Sequence, residues 1–371
     1  MHKKIIAVIA FLIGIPLLTA GIWAADYFLI PKVERTGITA PKRLPAADSR
    51  TEEAVPPSDT ANDINDTNNT GNADNTNDTG NTDDTNDADN ADDTFPVMTD
   101  HFPEEILDQP VAAGDGSEDD PEGTAVLGAS DDGINRIVVT KTVMGTGEDK
   151  VTCYVADLSV KDAQELKTCF AQDAFGENIY EKISSMAERC QAVFAVNGDC
   201  YGWRDNGIII RNGELFRDDP ARIGMALYED GRMQCYEETS TTGQDMISGH
   251  AWITFSFGPQ LVQNGEVTEG LGKEDRYTVD LTEISHHSPR TAIGKIADNH
   301  FIFVVVDGRQ PGYSKGMYLN ELADFMKQAG CQEAYNLDGG ASAAMYFKGQ
   351  IVNHPCSASG ERKVSDCIFI N

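Results

Sequence analysis

The chain has 371 residues and a formal net charge of −31, from 60 Asp and Glu against 29 Lys and Arg. An acidic balance of this size with no basic stripe excludes nucleic acid as a partner. The charge is unevenly spread, because residues 48–132 hold 25 acidic side chains and a single arginine, Arg50, leaving the rest only mildly acidic.

In chain order, Lys3 and Lys4 precede an apolar run over residues 5–25, long enough at 1.5 Å per helical residue to cross a hydrocarbon core of about 30 Å. Leu18 and Trp23 stand where a small residue would be needed for cleavage after Ala20 or Ala25. Residues 1–30 therefore predict an uncleaved signal anchor, with the positive flank inside and the remainder outside a cell membrane crossed once. A cleaved secretory peptide is the rival reading, and it exports the same domain. Residues 31–132 predict an acidic, disordered linker. Their Asn-Asp-Thr repeats have little apolar area to bury, so the entropy of ordering the backbone goes uncompensated. Like charges keep such a segment extended. The glycosylation sequons Asn65-Asp66-Thr67 and Asn68-Asn69-Thr70 read as accidents of this composition.

Residues 133–371 predict one exported α+β domain with mixed β-sheets, hairpins and two principal helices. Alternating β-branched and apolar residues at 135–144 and 151–158, joined by Gly145-Thr146-Gly147, predict an opening hairpin. Ile179, Ile183, Met186 and Ala187 have the spacing of one helix face over 179–190. Leu319, Leu322, Phe325 and Met326 predict a second helix over 319–329, stopped by Gly330. Further hairpins are signalled at 211–214, 229–232, 263–266, 297–299 and 348–350. All eight cysteines lie in this domain, and their even number in an oxidising compartment predicts disulfides, with Cys356 and Cys367 the first pair to consider. Cys200 is expected in a disulfide rather than as a nucleophile. The absence of C-x-x-C argues against a zinc ribbon, and adjacent His286 and His287 face opposite ways on a strand, which argues against a metal pair.

Several apolar runs end in polar residues and glycine: Asn197-Gly198-Asp199, Asp307-Gly308-Arg309, and Asn336-Leu337-Asp338-Gly339-Gly340-Ala341-Ser342. The segment Ser288-Pro289-Arg290-Thr291-Ala292-Ile293-Gly294 has the same character. Any one of these is an ordinary turn, since Asp and Asn also satisfy local amides there. Together they predict buried strands whose polar ends converge on a pocket. With Gly258-Pro259-Gln260-Leu261-Val262 and Gly360-Glu361-Arg362 in the same order, the chain resembles the phosphodiester glycosidases over roughly residues 133–371. Ala343 and Ala344 stand where that family often has hydroxyls.

The resemblance implies hydrolysis of a glycosyl-1-phosphodiester of N-acetylglucosamine type, in cell-surface polysaccharide or wall polymer. Such a site needs donors for the phosphate and a carboxylate facing the anomeric carbon. Asp338 is the expected principal carboxylate, with Asp307 or Glu361 as the second. Arg290 and Arg309 are expected on the phosphate, with Arg362 and the donors of Gly339, Gly340 and Ser342 beside them, and Asn197 and Asp199 on sugar hydroxyls. No cofactor is expected. Asp199, Asp307 and Asp338 have the ligand chemistry of a calcium or magnesium site, but no spacing indicates one. The alternatives are a non-catalytic envelope protein that binds polysaccharide in the same cleft, and a metal-dependent phosphodiesterase that attacks phosphorus.

Overall fold

A computed structural model describes residues 30–38, 107, 109–271 and 286–371. The principal sheet has eight strands, in spatial order Glu266–Val267, Gln260–Gln263, Glu333–Leu337, Arg290–Ala297, His300–Val306, Val151–Ser159, Arg136–Met144 and Gly123–Asp131. A second sheet has five, in the order Gln350–Ile351, Met345–Phe347, Phe194–Asn197, Asp366–Ile370 and Lys167–Phe170. A third carries Ile223–Tyr228 between Met233–Glu237 and Ala251–Phe255. Side chains from all three meet in one apolar core, with Phe303, Tyr335 and Leu337 from the first, Phe194, Met345 and Ile368 from the second, and Met225, Ile253 and Phe255 from the third.

The structure is mostly β, with three α-helices among the described residues: Ile183–Arg189, Gly243–Ser248 and Leu319–Gln328. The last lays Leu319, Leu322, Phe325 and Met326 on the back of the principal sheet, as their spacing predicts. The helix expected from residue 179 begins only at Ile183, because Asn178 has φ of 59° and Glu181–Lys182 pairs as a strand with Lys363–Val364. The short Gly243–Ser248 helix is additional to the two expected.

Four two-residue turns and one three-residue turn close their hairpins through left-handed φ. They carry Asn212-Gly213, Asp230-Gly231, Asn264-Gly265, Asp298-Asn299 and Lys348-Gly349, the expected residues. The linker expected over 31–132 is not structureless throughout. Lys32–Thr36 pairs with Ala174–Glu177, and Gly123–Asp131 forms the edge of the principal sheet. At the first of these, Val33 stays exposed and Lys32 pairs with Glu177, so the strand is held by ladder hydrogen bonds and charge rather than by burial. The expected anchor over residues 5–25 and the Asn-Asp-Thr repeats lie outside the described residues. Among the described residues no helix is long and apolar enough to cross a membrane.

Candidate active site

Register brings the polar strand ends together. Leu337 lies opposite Thr291, Arg290 opposite Val306, and Val306 opposite Cys153, so Asp338, Arg290 and Asp307 leave the principal sheet at one end. The second sheet delivers Asn197 to the same place, where its Nδ2 donates to the carbonyls of Asp338 at 2.6 Å and Gly198 at 3.2 Å. Its Oδ1 accepts from Thr291 Oγ1 at 2.9 Å and Ala344 N at 3.3 Å. Asn197 thus ties both sheets to the Asp338 loop. With its polar atoms occupied and its side chain buried, it supports the loop rather than holding a sugar hydroxyl, which corrects the expectation.

The loop needs its glycines for separate reasons. A Cβ on Gly339 would stand 2.8 Å from the Pro289 carbonyl oxygen, and Gly340 has φ of +60°. The Gly340 N–H donates to that same carbonyl at 2.8 Å, so it braces the loop and is not a substrate donor. Beyond it, residues Gly340–Ser342 make a 3-10 turn that aims the Ser342 hydroxyl at the Asp338 carboxylate.

Asp338 is half-buried, with protein packed around its carboxyl. Burial, the largest influence, pushes its carboxyl above the ordinary range; the Ser342 hydrogen bond, Arg362 and Arg204 pull it back, and Asp199 adds to the rise. Arg204 is held by the Ser256 carbonyl at 2.6 Å and by Cys200 Sγ at 3.3 Å, so Cys200 stands as a thiol at the site and not in the expected disulfide. Arg362 lies over the Trp203 ring, its guanidinium carbon 5.5 Å from the centroid. Arg309 lies on the flank of Gly340, where a Cβ added to that glycine would be 3.4 Å from Nη1. The sequence reading missed Arg204, Trp203 and Tyr180; the signal available was the Tyr-Gly-Trp-Arg run directly after Asn197-Gly198-Asp199-Cys200.

The other expected carboxylates point elsewhere. Asp199 is buried, one oxygen on Arg211 Nη2 at 2.8 Å and the other on the Ser256 N–H at 2.8 Å. Arg211 also holds Asp366 at 2.8 Å, so Asp199 belongs to a buried ion triad rather than to a sugar site. Asp307 is buried too. It accepts from Asn353 Nδ2, Tyr313 OH and the His354 N–H, each at 2.8 Å, and burial raises its pKa to about 7. Asn353 also donates to the Ala343 carbonyl at 3.1 Å, so Asp307 anchors the Asp338 loop from beneath. Glu361 accepts from the Ser184 N–H at 2.7 Å and its hydroxyl at 2.6 Å, capping the Ile183–Arg189 helix instead of supplying a second catalytic carboxylate.

Arg290 is buried, donating from Nε to the Met317 carbonyl at 3.0 Å and from Nη2 to the His286 carbonyl at 3.1 Å. These bonds fasten the loops on either side of it. Asp199, Asp307 and Asp338 each turn into a different network, and among the described residues no cluster of three His, Cys, Asp or Glu side chains is placed to hold a metal. The expected Cys356–Cys367 disulfide is not formed, and the neighbouring cysteines meet as thiols. Cys367 lies opposite Cys169 in the second sheet, and Cys169 hydrogen-bonds both Cys367 and Cys190. A recess of about 360 Å³ lined by Asp131, Gly133, Ile134, Asn135, Arg136, Ser159 and Val160 opens at the opposite strand ends, away from this chemistry.

Residues 191–371 match the family described as Phosphodiester glycosidase, a stretch that includes the Asn197 loop, the Asp338 loop and Arg362. This part of the chain is similar to the phosphodiester glycosidase family. Over 209 residues the chain is 30% identical to the SPbeta prophage-derived uncharacterized protein YomE of Bacillus subtilis (strain 168), covering 53% of this chain and 30% of that protein. Over 116 residues it is 35% identical to the N-acetylglucosamine-1-phosphodiester alpha-N-acetylglucosaminidase of Mus musculus, covering 30% of this chain and 20% of that enzyme. The chain therefore spans less than a third of the length of either relative. The catalytic domain of the zebrafish enzyme of that name, auto-inhibited by its pro-peptide, superposes with a TM-score of 0.53 at 19% identity over 76% of this chain and 99% of that one. That superposition shows a shared fold.

Proposed function

We propose that the domain hydrolyses the glycosidic bond of sugar-1-phosphodiesters of N-acetylglucosamine type, in cell-surface polysaccharide or wall polymer. The observation that carries this reading is the half-buried Asp338, its carboxyl hydrogen-bonded by Ser342 and opposed by two arginines, Arg362 and Arg204. A phosphodiester substrate presents the matching pattern, an electron-poor anomeric carbon next to an anionic phosphate. In the reaction the C1–O bond breaks, its electron pair leaves on the phosphate oxygen, and water supplies a hydroxyl to C1 and a proton to the medium. A phosphate anion is a weak base that departs without strong general-acid help, so one carboxylate suffices where ordinary glycosides require two.

Asp338 acts as the ionised group at the anomeric carbon, as base or nucleophile. Arg362 and Arg204 hold the phosphate, with Arg309 beside Gly340; a guanidinium fork suits two phosphate oxygens at once. The similarity to the family and the presence of a related named enzyme among the relatives support this chemistry. Export and single-pass membrane attachment, with the domain outside, belong to the same proposal and rest on Lys3, Lys4 and the apolar run at 5–25.

The test is release of reducing sugar from an N-acetylglucosamine-1-phosphodiester by the full-length chain and by its Asp338→Asn variant. The wild-type chain is expected to release sugar. The variant should lose at least about 1,000-fold in rate, of the order of a lost transition-state charge interaction, with an unchanged circular dichroism spectrum. Equal activity in the variant removes Asp338 from its role.

A further inference from the structure

The aromatic pair next to Arg362 is used by nothing in the chemistry above. Trp203 is a large side chain left 47% exposed, the one exposed ring of Phe, Tyr or Trp among the described residues. Tyr180 packs against it with centroids 5.4 Å apart and planes tilted by 35°. The segment that carries Trp203 is tied through its backbone, and Tyr180 through its hydroxyl. The Trp203 backbone N–H donates to the Cys200 carbonyl at 3.0 Å, and the Tyr180 hydroxyl donates to Asn178 Oδ1 at 3.1 Å, while the Asn178 backbone N–H donates to the Gly202 carbonyl at 3.0 Å. A half-open indole packed against Tyr180 and Arg362 offers a flat face at little entropic cost.

Its position sets what it would meet. The Arg362 guanidinium is shared, lying over the indole at 5.5 Å and acting on the Asp338 carboxyl. The order carboxylate, guanidinium, indole parallels the order sugar, phosphate, esterifying alcohol in a phosphodiester. We infer that Trp203 and Tyr180 form a subsite for the group on the far side of the phosphate, selecting alcohols that carry a ring over short acyclic ones. This rests on the hydrolytic reading for the placement of sugar and phosphate, and it adds a specificity determinant to it.

The experiment separates the two. Binding to the full-length Asp338→Asn chain is measured by calorimetry with two N-acetylglucosamine-1-phosphodiesters, the benzyl and the methyl ester, with and without Trp203→Ala. The benzyl ester is expected to bind about tenfold more tightly than the methyl ester, the scale of a stacking contact. Trp203→Ala should remove that preference, and Trp203→Phe should restore part of it. A preference that survives Trp203→Ala, or the absence of any preference before it, overturns the subsite. Failure of the wild-type chain to release sugar, with the binding preference and its loss intact, overturns the hydrolytic reading and leaves the ring subsite standing. An unchanged near-ultraviolet spectrum outside the Trp203 contribution confirms that the exposed position tolerates the change.

Discussion

Asp338 owes its chemistry to its neighbours, and the pH dependence of the reaction reads them directly. Burial holds its carboxyl above the ordinary range, while Arg362 draws it down. If the ionised form acts, activity rises as pH increases through the pKa of Asp338, and the acidic limb lies above that of an unperturbed aspartate. Arg362→Gln removes a cation that favours the charged form, so the limb is predicted to move to higher pH, with a larger KM from the lost phosphate contact. A kcat/KM profile from pH 3 to 8 checks this; an unmoved limb would separate Arg362 from Asp338. At this scale the sequence was informative about the loop but not about the partners. Asp338, Ser342 and Arg362 were legible because motif order named them. Arg204 and Trp203 were not, because a residue after a motif says nothing of where its side chain turns. Asp199, Asp307 and Arg290 stand in the same motifs, yet the fold directs them inward to Arg211, Tyr313 and the Met317 carbonyl. Sequence position gave the strand end, and only packing decided which side of the sheet end each side chain took.

At the scale of elements, two carboxamide and carboxylate groups act as fasteners. Glu361→Ala removes the acceptor for the first-turn donors of the Ile183–Arg189 helix, at an expected cost of about 1 kcal/mol, while sugar release persists. Urea unfolding together with an activity assay checks both halves, and loss of activity without loss of stability would return Glu361 to the catalytic set. Asn197→Ala strands the Ala344 N–H and the Thr291 hydroxyl and frees the Asp338 carbonyl, so a cost of about 2–4 kcal/mol is expected. The hairpin turns were legible because Asn-Gly, Asp-Gly and Asp-Asn pairs accept left-handed φ whatever surrounds them. The start of the Ile183–Arg189 helix was not, since periodicity ignores the competing pairing of Glu181–Lys182 with a strand almost two hundred residues away. The same reason hides Lys32–Thr36, a polar strand that exists only because Ala174–Glu177 offers an edge.

The whole molecule carries buried acid that its stability must register. Asp307 and Asp366 both have pKa raised to about 7, chiefly by burial, against an unfolded value of about 3.9. The folded state therefore holds these protons longer. Their contribution to stability is fully present below pH 4 and is lost as pH rises from about 4 to about 7, with a slope of up to about 1.4 kcal/mol per pH unit for each group. Urea midpoints across that range should fall with pH, and Asp307→Asn should flatten the fall; a midpoint that rises steadily instead would contradict the inward placement of these carboxylates. The acidic segment was legible as a composition, but its boundary was not, because Gly123–Asp131 belongs to the principal sheet through pairing with Arg136–Met144.

The most direct test of the account is the fate of oxygen when an N-acetylglucosamine-1-phosphodiester is hydrolysed by the full-length chain in ¹⁸O-labelled water. Attack at the anomeric carbon, with Asp338 facing it and the arginines on the phosphate, places the label in the released sugar and none in the phosphate monoester. Label in the phosphate would show attack at phosphorus and contradict the assignment of Asp338.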